Sequence, residues 1–502
     1  MNRRLAALVV GLALAAAACT ATGNQAGPAT TTTAASDATT TTPAPTTSDT
    51  STIDWSDCGG GFECGRLAVP LDHDDPQGET IELDVTRHRA EDPDRRIGAL
   101  LLNPGGPGGS ATELARTYPR AGELGDRFDI VGFDPRGVGT SEPVLDCSDG
   151  LQAMYDADPT IDSPADEEEY LATSEAYVDG CAAAAGDALA FMGTTDVAKD
   201  MDLVREALGE DQISYLGYSY GTSIGQEYAR LFPGRVRAMI LDGVVDHAPD
   251  GVTTATSQAE GFELALDNYV SHCQQDGCGF SRDARDVIDE VVAAAEDAPI
   301  PAPGADRPAT PGVVNLALAQ SLYAEQLWSV LSAALRDAVD GDGTGLVELA
   351  DQYLGREPDG SYPSSFAVYF AVSCLDEEWP ATTDEFFADA AAAGETSPTF
   401  GEAIVNDYLR CALWPVDAEP LAPVPADTEG LPPILVVSTT GDPATPYENG
   451  VAVADQIPGA VLVTNEGEGH TVVGLGKPCI DDLALAYLVD LTVPDDGTTC
   501  GP

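Results

Sequence analysis

The sequence predicts an α/β fold with a mostly parallel central sheet, and two observations lead to this prediction. Between about residues 98 and 245, short apolar runs alternate with helical segments, an order typical of parallel strands joined by right-handed helical crossovers. From residue 246 to residue 430 helical periodicity takes over, and strands resume after that point. We therefore expect one sheet whose last two strands are preceded by a large, mainly helical insertion.

The first half of the sheet is predicted to begin with an antiparallel pair. Residues 66–70 and 80–86 have the composition of strands and are separated by a polar turn. Residues 98–103 and 129–134 are near-continuous apolar runs, the pattern of strands that are buried on both faces. A helix-rich stretch from about residue 166 to residue 208 then leads to the next strand.

That next strand ends at a serine, which the sequence places on a sharp turn between strand and helix. Residues 212–216 suit a buried strand and residues 222–230 suit a helix, and the segment Gly217-Tyr218-Ser219-Tyr220-Gly221 between them reads G-x-S-x-G. The two glycines let the backbone pass closely and leave the Ser219 hydroxyl exposed. The helix N-terminus behind it favours the negative charge that an attacked carbonyl develops. Ser219 is therefore the predicted nucleophile.

The insertion at residues 246–430, which we call the lid, is predicted to cover the site. It follows a strand at residues 235–242, so it should lie over the carboxyl ends of the strands, where open α/β sheets bind ligands. Strands resume at residues 433–438 and 460–464. Helical periodicity within the lid covers residues 262–273, 284–295, 314–339, 365–374 and 400–413.

The N-terminus is predicted to be a targeting segment. Arg3 and Arg4 precede an apolar run, residues 5–18, that is too short to span a bilayer and ends at Cys19. This resembles a bacterial lipoprotein signal, in which Cys19 is lipidated; plain secretion and twin-arginine export are the alternatives. A Thr-, Ala-, Ser- and Pro-rich stretch then suits a disordered tether. The predicted organisation is residues 1–18 (signal peptide), 19–54 (tether), 55–245 (core, first part), 246–430 (lid) and 431–502 (core, C-terminal part).

The charge of the chain limits its partners. The net charge is −61, and Lys199 and Lys477 are the only lysines. Nucleic acid and anionic membrane surfaces would be repelled, so membrane contact is expected only through a lipid at Cys19. We expect a monomer at the cell surface or outside the cell. Adaptation to high salt, which screens self-repulsion, is a further hypothesis.

The cysteines indicate disulfides. Apart from Cys19 there are ten, an even number in a chain expected to be exported, where disulfides persist. A metal site is the rival, but the sequence has no C-x-x-C and only five histidines. We expect nearest-neighbour pairing, namely Cys58–Cys64, Cys147–Cys181, Cys273–Cys278, Cys374–Cys411 and Cys479–Cys500.

A serine hydroxyl needs an adjacent base at neutral pH, and His470 is the first candidate. It stands in the glycine-bracketed loop Gly467-Glu468-Gly469-His470-Thr471, just past the last apolar strand. A histidine that reaches back over the sheet edge needs such a flexible loop. His247, at the entrance to the lid, is the alternative base.

The base needs a carboxylate that fixes the imidazole tautomer. Asp442 closely follows the strand at residues 433–438, and Pro443 ends the strand there. The chain order serine, aspartate, histidine also favours Asp442. Asp242, at the end of the preceding strand, and Asp246 are the alternatives.

Two preorganised N–H groups are needed to stabilise the oxyanion. One is expected from Tyr220, the residue after the nucleophile. The other requires a loop after the strand that ends at Asn103, and residues 104–110 read Pro-Gly-Gly-Pro-Gly-Gly-Ser. A phosphate-binding loop is excluded, because neither G-x-x-x-x-G-K nor G-x-G-x-x-G fits this spacing.

The ordered set of motifs resembles one family. The glycine loop, residues 133–141 (Phe-Asp-Pro-Arg-Gly-Val-Gly-Thr-Ser), the G-x-S-x-G turn, residues 441–446 (Gly-Asp-Pro-Ala-Thr-Pro) and Gly469-His470 look like those of α/β-hydrolases. Among these they resemble the secreted actinobacterial tripeptidyl aminopeptidases, relatives of proline iminopeptidase. The resemblance implies Ser219, Asp442 and His470 as the catalytic triad, and Gly106 with Tyr220 as the oxyanion hole. It departs at Pro104, where proline iminopeptidases have a histidine.

The resemblance also implies cleavage from a free N-terminus, which needs an anionic group for the substrate ammonium. Asp376, Glu377 and Glu378 in the lid are the candidates, and a solvated acidic face is the alternative explanation for each. We therefore predict an exported serine exopeptidase that cleaves short peptides, with tripeptides as the expected product, and that needs no cofactor. The alternatives are a carboxylesterase or lipase with the same triad, and a catalytically inactive surface-binding lipoprotein.

Overall fold

The computed structural model describes residues 52–147, 150–161 and 163–501. The predicted signal peptide, the lipidation site at Cys19 and the predicted tether up to residue 51 lie outside the described residues. Ile53, which the sequence analysis assigned to the tether, is buried, and its side chain lies against Gly65. The folded region therefore begins before Trp55.

A single sheet organises the described residues. Its strands are β1 (Ser56–Gly59), β2 (Phe62–Pro70), β3 (Thr80–His88), β4 (Gly98–Asn103), β5 (Phe128–Phe133), β6 (Ile213–Tyr218), β7 (Val236–Asp242), β8 (Ile434–Gly441), β9 (Val461–Glu468) and β10 (Thr498–Cys500). Their order across the sheet is β1-β2-β3-β5-β4-β6-β7-β8-β9-β10. The pairs from β1 to β5 are antiparallel, and those from β5 through β4 to β10 are parallel. The mostly parallel sheet agrees with the prediction, and β10 is an additional short strand at the edge.

Helices connect the strands and form the lid. Those of the core are α1 (Ala111–Thr117), α2 (Glu123–Arg127), α3 (Leu151–Asp156), α4 (Pro164–Ala185), α5 (Thr194–Leu208), α6 (Gly221–Leu231), α16 (Tyr447–Gln456) and α17 (Pro478–Asp490). Those of the lid, all between β7 and β8, are α7 (Gly251–Asp276), α8 (Ala284–Asp297), α9 (Pro311–Leu322), α10 (Trp328–Val339), α11 (Thr344–Leu354), α12 (Ser365–Asp376), α13 (Thr383–Thr396), α14 (Gly401–Asp407) and α15 (Leu409–Ala412). In the part of the chain that is described, no helix is long and apolar enough to cross a membrane.

The lid differs from its prediction in several respects. The helix expected over residues 400–413 is two short helices, α14 and α15. The helix expected over residues 314–339 is two helices, because the chain turns between α9 and α10 at residues 323–327. Helices α11 and α13 were not predicted at all. The turn brings Tyr323 to the site, as described below.

The central strands are buried on both faces, as their continuous apolar runs predict. Leu101 belongs to one hydrophobic cluster, whereas its neighbours Leu100 and Leu102 belong to another on the opposite face. The cluster that contains Leu101 also includes the lid residues Phe262 and Leu266. The lid is thus packed into the same core as one face of the sheet, which fixes it over the strand ends.

Five disulfides join the cysteines of the described region in nearest-neighbour pairs, a framework typical of proteins in oxidising compartments. They are Cys58–Cys64, Cys147–Cys181, Cys273–Cys278, Cys374–Cys411 and Cys479–Cys500. The fourth connects two lid helices, α12 and α15, and the fifth connects α17 to β10.

Candidate active site

Four strands end at the candidate site. The glycine loop follows β4, Ser219 follows β6, Asp442 follows β8, and His470 lies two residues past the end of β9. Because these strands are parallel neighbours in the sheet, their carboxyl ends lie along one edge. Residues that are far apart in the sequence are brought together there.

Ser219 stands on a strained turn. Its φ is 54°, a left-handed conformation that is uncommon for a residue with a side chain. A Cβ atom at Gly217 would lie 2.4 Å from the carbonyl oxygen of Gly221, so the turn is too tight for a side chain at Gly217. The N–H of Ser219 donates to the carbonyl of Asp242 on the adjacent strand at 2.9 Å, which holds the turn in place. Strain of this kind concentrates at functional sites.

His470 and Asp442 form a buried pair. The Nδ1 atom of His470 lies 2.9 Å from both carboxylate oxygens of Asp442. Asp442 Oδ1 also accepts the N–H groups of Ala444 and Thr445, each at 3.0 Å, which fix the orientation of the carboxylate. Since an ionised carboxylate only accepts hydrogen bonds, Nδ1 carries the hydrogen and Nε2 is left with its lone pair.

The Nε2 atom of His470 is buried and has no hydrogen-bond partner among the described residues. Burial by itself lowers the pKa of His470, but the charge of Asp442 and the hydrogen bond to it raise that pKa above the ordinary value on balance. Ser219 and His470 both lie against the chain that leaves β7. Asp242 accepts the Ser219 N–H, and the next residue, Gly243, lies beside the His470 ring. The two side chains are not hydrogen-bonded here, and such bonds often tighten only with substrate.

The alternative base and acids lie elsewhere. Both ring nitrogens of His247 are buried and unpartnered in the described region, and burial lowers its pKa to about 4. Asp246 accepts from Gln456 Nε2 at 3.0 Å rather than from a histidine. Asp242 accepts backbone N–H groups beyond His470. The geometry therefore favours Asp442 as the partner of His470.

The glycine loop after β4 lies against the serine turn. A Cβ atom at Gly105 would lie 2.8 Å from Ser219 Cβ and 2.9 Å from Tyr220 N. The Gly106 N–H belongs to the peptide group that follows Gly105 in this loop. Within the described residues, neither that N–H nor the Tyr220 N–H donates to a protein acceptor. The contact between the two loops and the unused N–H groups are compatible with the predicted oxyanion hole, which stays a prediction.

The three acidic lid residues have different surroundings. Asp376 is buried, and its Oδ1 accepts the Thr194 N–H of α5 at 2.9 Å; burial raises its pKa to about 7. Glu377 has a buried Oε2 with no partner among the described residues, and burial, followed by the charge of Asp376, raises its pKa to about 8. Glu378 is exposed. Glu377, half-buried as a whole, is therefore the one of the three with a buried carboxylate oxygen that has no partner among the described residues.

Asp376 also links the lid to the residue after the nucleophile. Thr194, which donates its N–H to Asp376, shares a 2.6 Å hydrogen bond between its hydroxyl and that of Tyr220. A buried chain of contacts thus runs from α12 to the predicted oxyanion donor. No sequence pattern pointed to Thr194, because nothing local marks a threonine at a helix start as part of a site.

Tyr323 is a site residue that the sequence analysis missed. Its ring lies edge-on to the His470 ring, with 5.6 Å between the ring centres, and its carbonyl accepts the His470 N–H at 2.9 Å. Tyr323 packs on the ring of Tyr353, which, together with Tyr369 and Tyr408, lines a cavity between the lid and helices α3 and α4 (the lid cavity). Tyr323 lies in a mostly apolar segment with no glycine or proline, so no residue there indicates a turn.

The topology and the chemistry at the strand ends define the class: this is a serine hydrolase with the α/β-hydrolase fold. No group of three or more potential metal ligands is found in the described part of the chain.

Comparison with known proteins identifies the family. Residues 397–500 match the family model described as TAP-like protein. The chain is 38% identical to serine protease Hip1 of Mycobacterium tuberculosis over 89% of its length and 91% of that protein. It is 36% identical to carboxylesterase B of the same organism, covering 88% of this chain and 86% of that protein. It is 34% identical to tripeptidyl aminopeptidase of Streptomyces lividans, covering 90% and 87%. The chain belongs to the α/β-hydrolase family that includes these three proteins.

Proposed function

We propose that this chain is an exported serine exopeptidase that releases short peptides, above all tripeptides, from substrates with a free N-terminus. The observation that carries the proposal is the buried His470–Asp442 pair beside Ser219, covered by a lid that contains an unpaired carboxylate. The name of the 34% identical relative from Streptomyces lividans, tripeptidyl aminopeptidase, supports the substrate class. The chain is proposed to act on peptides as a monomer.

The proposed chemistry uses the groups at the strand ends. Ser219 Oγ attacks the scissile carbonyl while His470 Nε2 accepts its proton, and Asp442 stabilises the resulting imidazolium. The N–H groups of Gly106 and Tyr220 bind the oxyanion of the tetrahedral intermediate. His470 then gives the proton to the leaving amine, and a water molecule hydrolyses the acyl-enzyme by the same steps in reverse order.

Glu377 is the proposed ligand of the substrate ammonium, ahead of Asp376 and Glu378. Its unpaired, buried Oε2 lacks a counter-charge, and an arriving ammonium would stabilise the ionised carboxylate. Glu377 also interacts electrostatically with Tyr408, which lines the lid cavity. The Asp376 carboxylate is already bonded to Thr194, and Glu378 is exposed to solvent.

A comparison of substrates tests this function. Mass spectrometry of products from a mixed peptide pool is expected to show tripeptides from free N-termini and no cleavage of N-acetylated copies. Glu377→Gln should lower kcat/KM for free-amine peptides by about tenfold or more, since an enclosed charge pair is lost. It should leave hydrolysis of an acylated chromogenic ester near wild type. Glu378→Gln, which changes an exposed neighbour, is the matched control. Equal cleavage of free and acetylated peptides would contradict an exopeptidase.

Carboxylesterase activity is the second candidate. A relative with 36% identity bears the name carboxylesterase B, and the same triad serves ester cleavage. Measurement of kcat/KM for a tripeptidyl amide and for short-chain esters, on one enzyme preparation, separates the two. A strong preference for esters that do not contain an amine would favour the esterase.

Export and anchoring complete the proposal. The apolar run before Cys19 and the five disulfides support export to an oxidising compartment, and Cys19 is the proposed lipid attachment site. Cys19→Ala should move the enzyme from the membrane fraction to the medium. An unchanged membrane fraction in that variant would contradict lipid attachment at Cys19.

A further inference from the structure

Asp242, the last residue of β7, has a carboxylate that the proposed triad does not use. The residue is fully buried. Its Oδ2 accepts the N–H groups of Val472 and Val473, both at 2.7 Å, and these are the second and third residues after His470. Its Oδ1 has no hydrogen-bond partner among the described residues. The carboxylate therefore anchors the loop that carries His470 through two backbone hydrogen bonds.

The same residue holds the nucleophile through its main chain. The carbonyl of Asp242 accepts the Ser219 N–H at 2.9 Å. A second contact between the two loops comes from Tyr218, whose hydroxyl donates to the Val473 carbonyl at 2.8 Å. Asp242 at the end of β7 is thus bonded to the serine turn through its carbonyl and to the histidine loop through its carboxylate.

The histidine loop needs such a hold, because its backbone is strained. Thr471, directly after His470, has a φ of 62°, which is unfavourable for a β-branched residue. A Cβ atom at Gly243 would lie 3.0 Å from His470 Cε1 and 2.9 Å from Thr471 Cγ2, so the loop packs closely on the chain that follows Asp242. A conformation of this kind persists only when surrounding contacts enforce it.

We propose that Asp242 is a positioning residue of this hydrolase, which fixes the loop of His470 relative to Ser219. Its carboxylate acts on the loop backbone and does not touch the reacting atoms. The inference rests on the proposed function in one respect, the assignment of His470 as the base.

The charge of Asp242 gives the role a measurable signature. Burial raises the pKa of Asp242 to about 7, even though the Val472 and Val473 N–H groups lower it. When ionised, Asp242 raises the pKa of His470, after the larger contribution of Asp442. The other titratable groups around it are Tyr218, with Tyr118 and Asp481 beyond. Removing the charge of Asp242 should therefore lower the pKa of His470.

Asp242→Asn tests the proposal on a short ester or peptide substrate. We expect kcat to fall by about 10- to 100-fold, because a neutral amide oxygen holds the two N–H groups less strongly and its NH2 would replace Oδ1, which has no partner among the described residues, so the base shifts. KM should stay within about twofold, since Asp242 does not face the substrate. The acid limb of kcat/KM against pH should move to lower pH. A merely structural loss of stability would not move that limb.

Two further variants complete the experiment. Asp129→Asn is the control, because Asp129 is a buried carboxylate at the amino end of β5 that accepts the Ala90 N–H and, unlike Asp242, also pairs with Arg96 at 3.0 Å. It should lose stability with kcat unchanged.

Tyr218→Phe removes the hydrogen bond between the Tyr218 hydroxyl and the Val473 carbonyl without changing charge. It should therefore lower kcat several-fold and leave the acid limb in place. If Asp242→Asn fails to fold, Tyr218→Phe still tests whether contacts between the two loops position His470.

The outcomes separate this inference from the proposed function. If wild type hydrolyses substrate and Asp242→Asn retains its kcat and its acid limb, the positioning role is overturned. The same holds if Asp242→Asn does not fold and Tyr218→Phe has a wild-type kcat. If a fluorophosphonate labels neither wild type nor Asp242→Asn, the serine hydrolase chemistry itself fails, and this inference fails with it.

Discussion

A single methyl group in the glycine loop is expected to disable the enzyme. Gly105 has a φ of +91°, and a Cβ atom there would lie 2.5 Å from the carbonyl oxygen of Tyr218 and 2.8 Å from Ser219 Cβ. Non-bonded heavy atoms settle at ~3.5 Å, so the loop in Gly105→Ala must retreat by roughly 1 Å. The obstacle is backbone on the strained turn, which has little freedom to move away.

The retreat removes the Gly106 N–H from the oxyanion. Loss of one such donor lowers kcat by about 10²- to 10³-fold, because the donor acts mainly on the transition state. KM should change little for the same reason. The left-handed φ adds a loss of stability of about 1 to 2 kcal/mol. The measurement is steady-state kinetics on a chromogenic ester, with denaturant unfolding of the same preparation.

Gly209→Ala is the control that separates strain from displacement. Gly209 ends α5 with a φ of +75°, and a Cβ atom there meets nothing within 4 Å. Because of its left-handed φ, this variant should lose about 1 to 2 kcal/mol of stability, and it should keep its kcat. If Gly105→Ala has a kcat within about threefold of Gly209→Ala, the Gly106 N–H is not an oxyanion donor.

Three further predictions concern the histidine, its partner and the lid. Asp442→Asn should lower kcat by about 10⁴-fold, because the amide favours the wrong tautomer of His470; steady-state kinetics will show whether the loss is that large. The pKa of His470 is raised, so wild-type kcat/KM should fall as pH drops through a value above ~6.5, and an acid limb below that value would contradict the assignment. Replacing Cys374 and Cys411 by serine opens a loop with a sequence separation of 37 and should lower the free energy of unfolding by about 4 kcal/mol in denaturant titrations. An unchanged midpoint and slope would show that the bridge does not restrict the unfolded chain.

The sequence was informative about the site because parallel strands end at one edge. A residue that follows a recognisable parallel strand is expected at the carboxyl edge of the sheet. The sequence alone therefore predicted that Ser219, Asp442 and His470 lie in one region. Choosing between Asp442 and Asp242 was harder, because both follow strands of the same sheet. The choice depends on which side chain reaches Nδ1 of the imidazole, and that is decided by backbone turns of a few residues.

The lid was predicted less well, for physical reasons that differ between its parts. The turn at Tyr323 is stabilised by a tertiary contact, the hydrogen bond to the His470 N–H, which no local pattern encodes. Helix α13 did carry a local signal. Thr382 caps it by accepting the Glu385 N–H, and Thr-x-x-Glu is a capping box that the sequence analysis overlooked.

The position of β8 in the sheet has a consequence for a chain that is still being synthesised. It pairs with β7 only after the lid has been made, since residues 239–242 of β7 pair with residues 434–437. Until then the apolar β7 is an open sheet edge, and such edges template aggregation. A nascent or truncated product that ends inside the lid therefore contains Ser219 but lacks both Asp442 and His470, which follow the lid in the sequence. Such a product should lack hydrolase activity, although its open edge leaves it prone to aggregation and makes it a target for quality-control proteases.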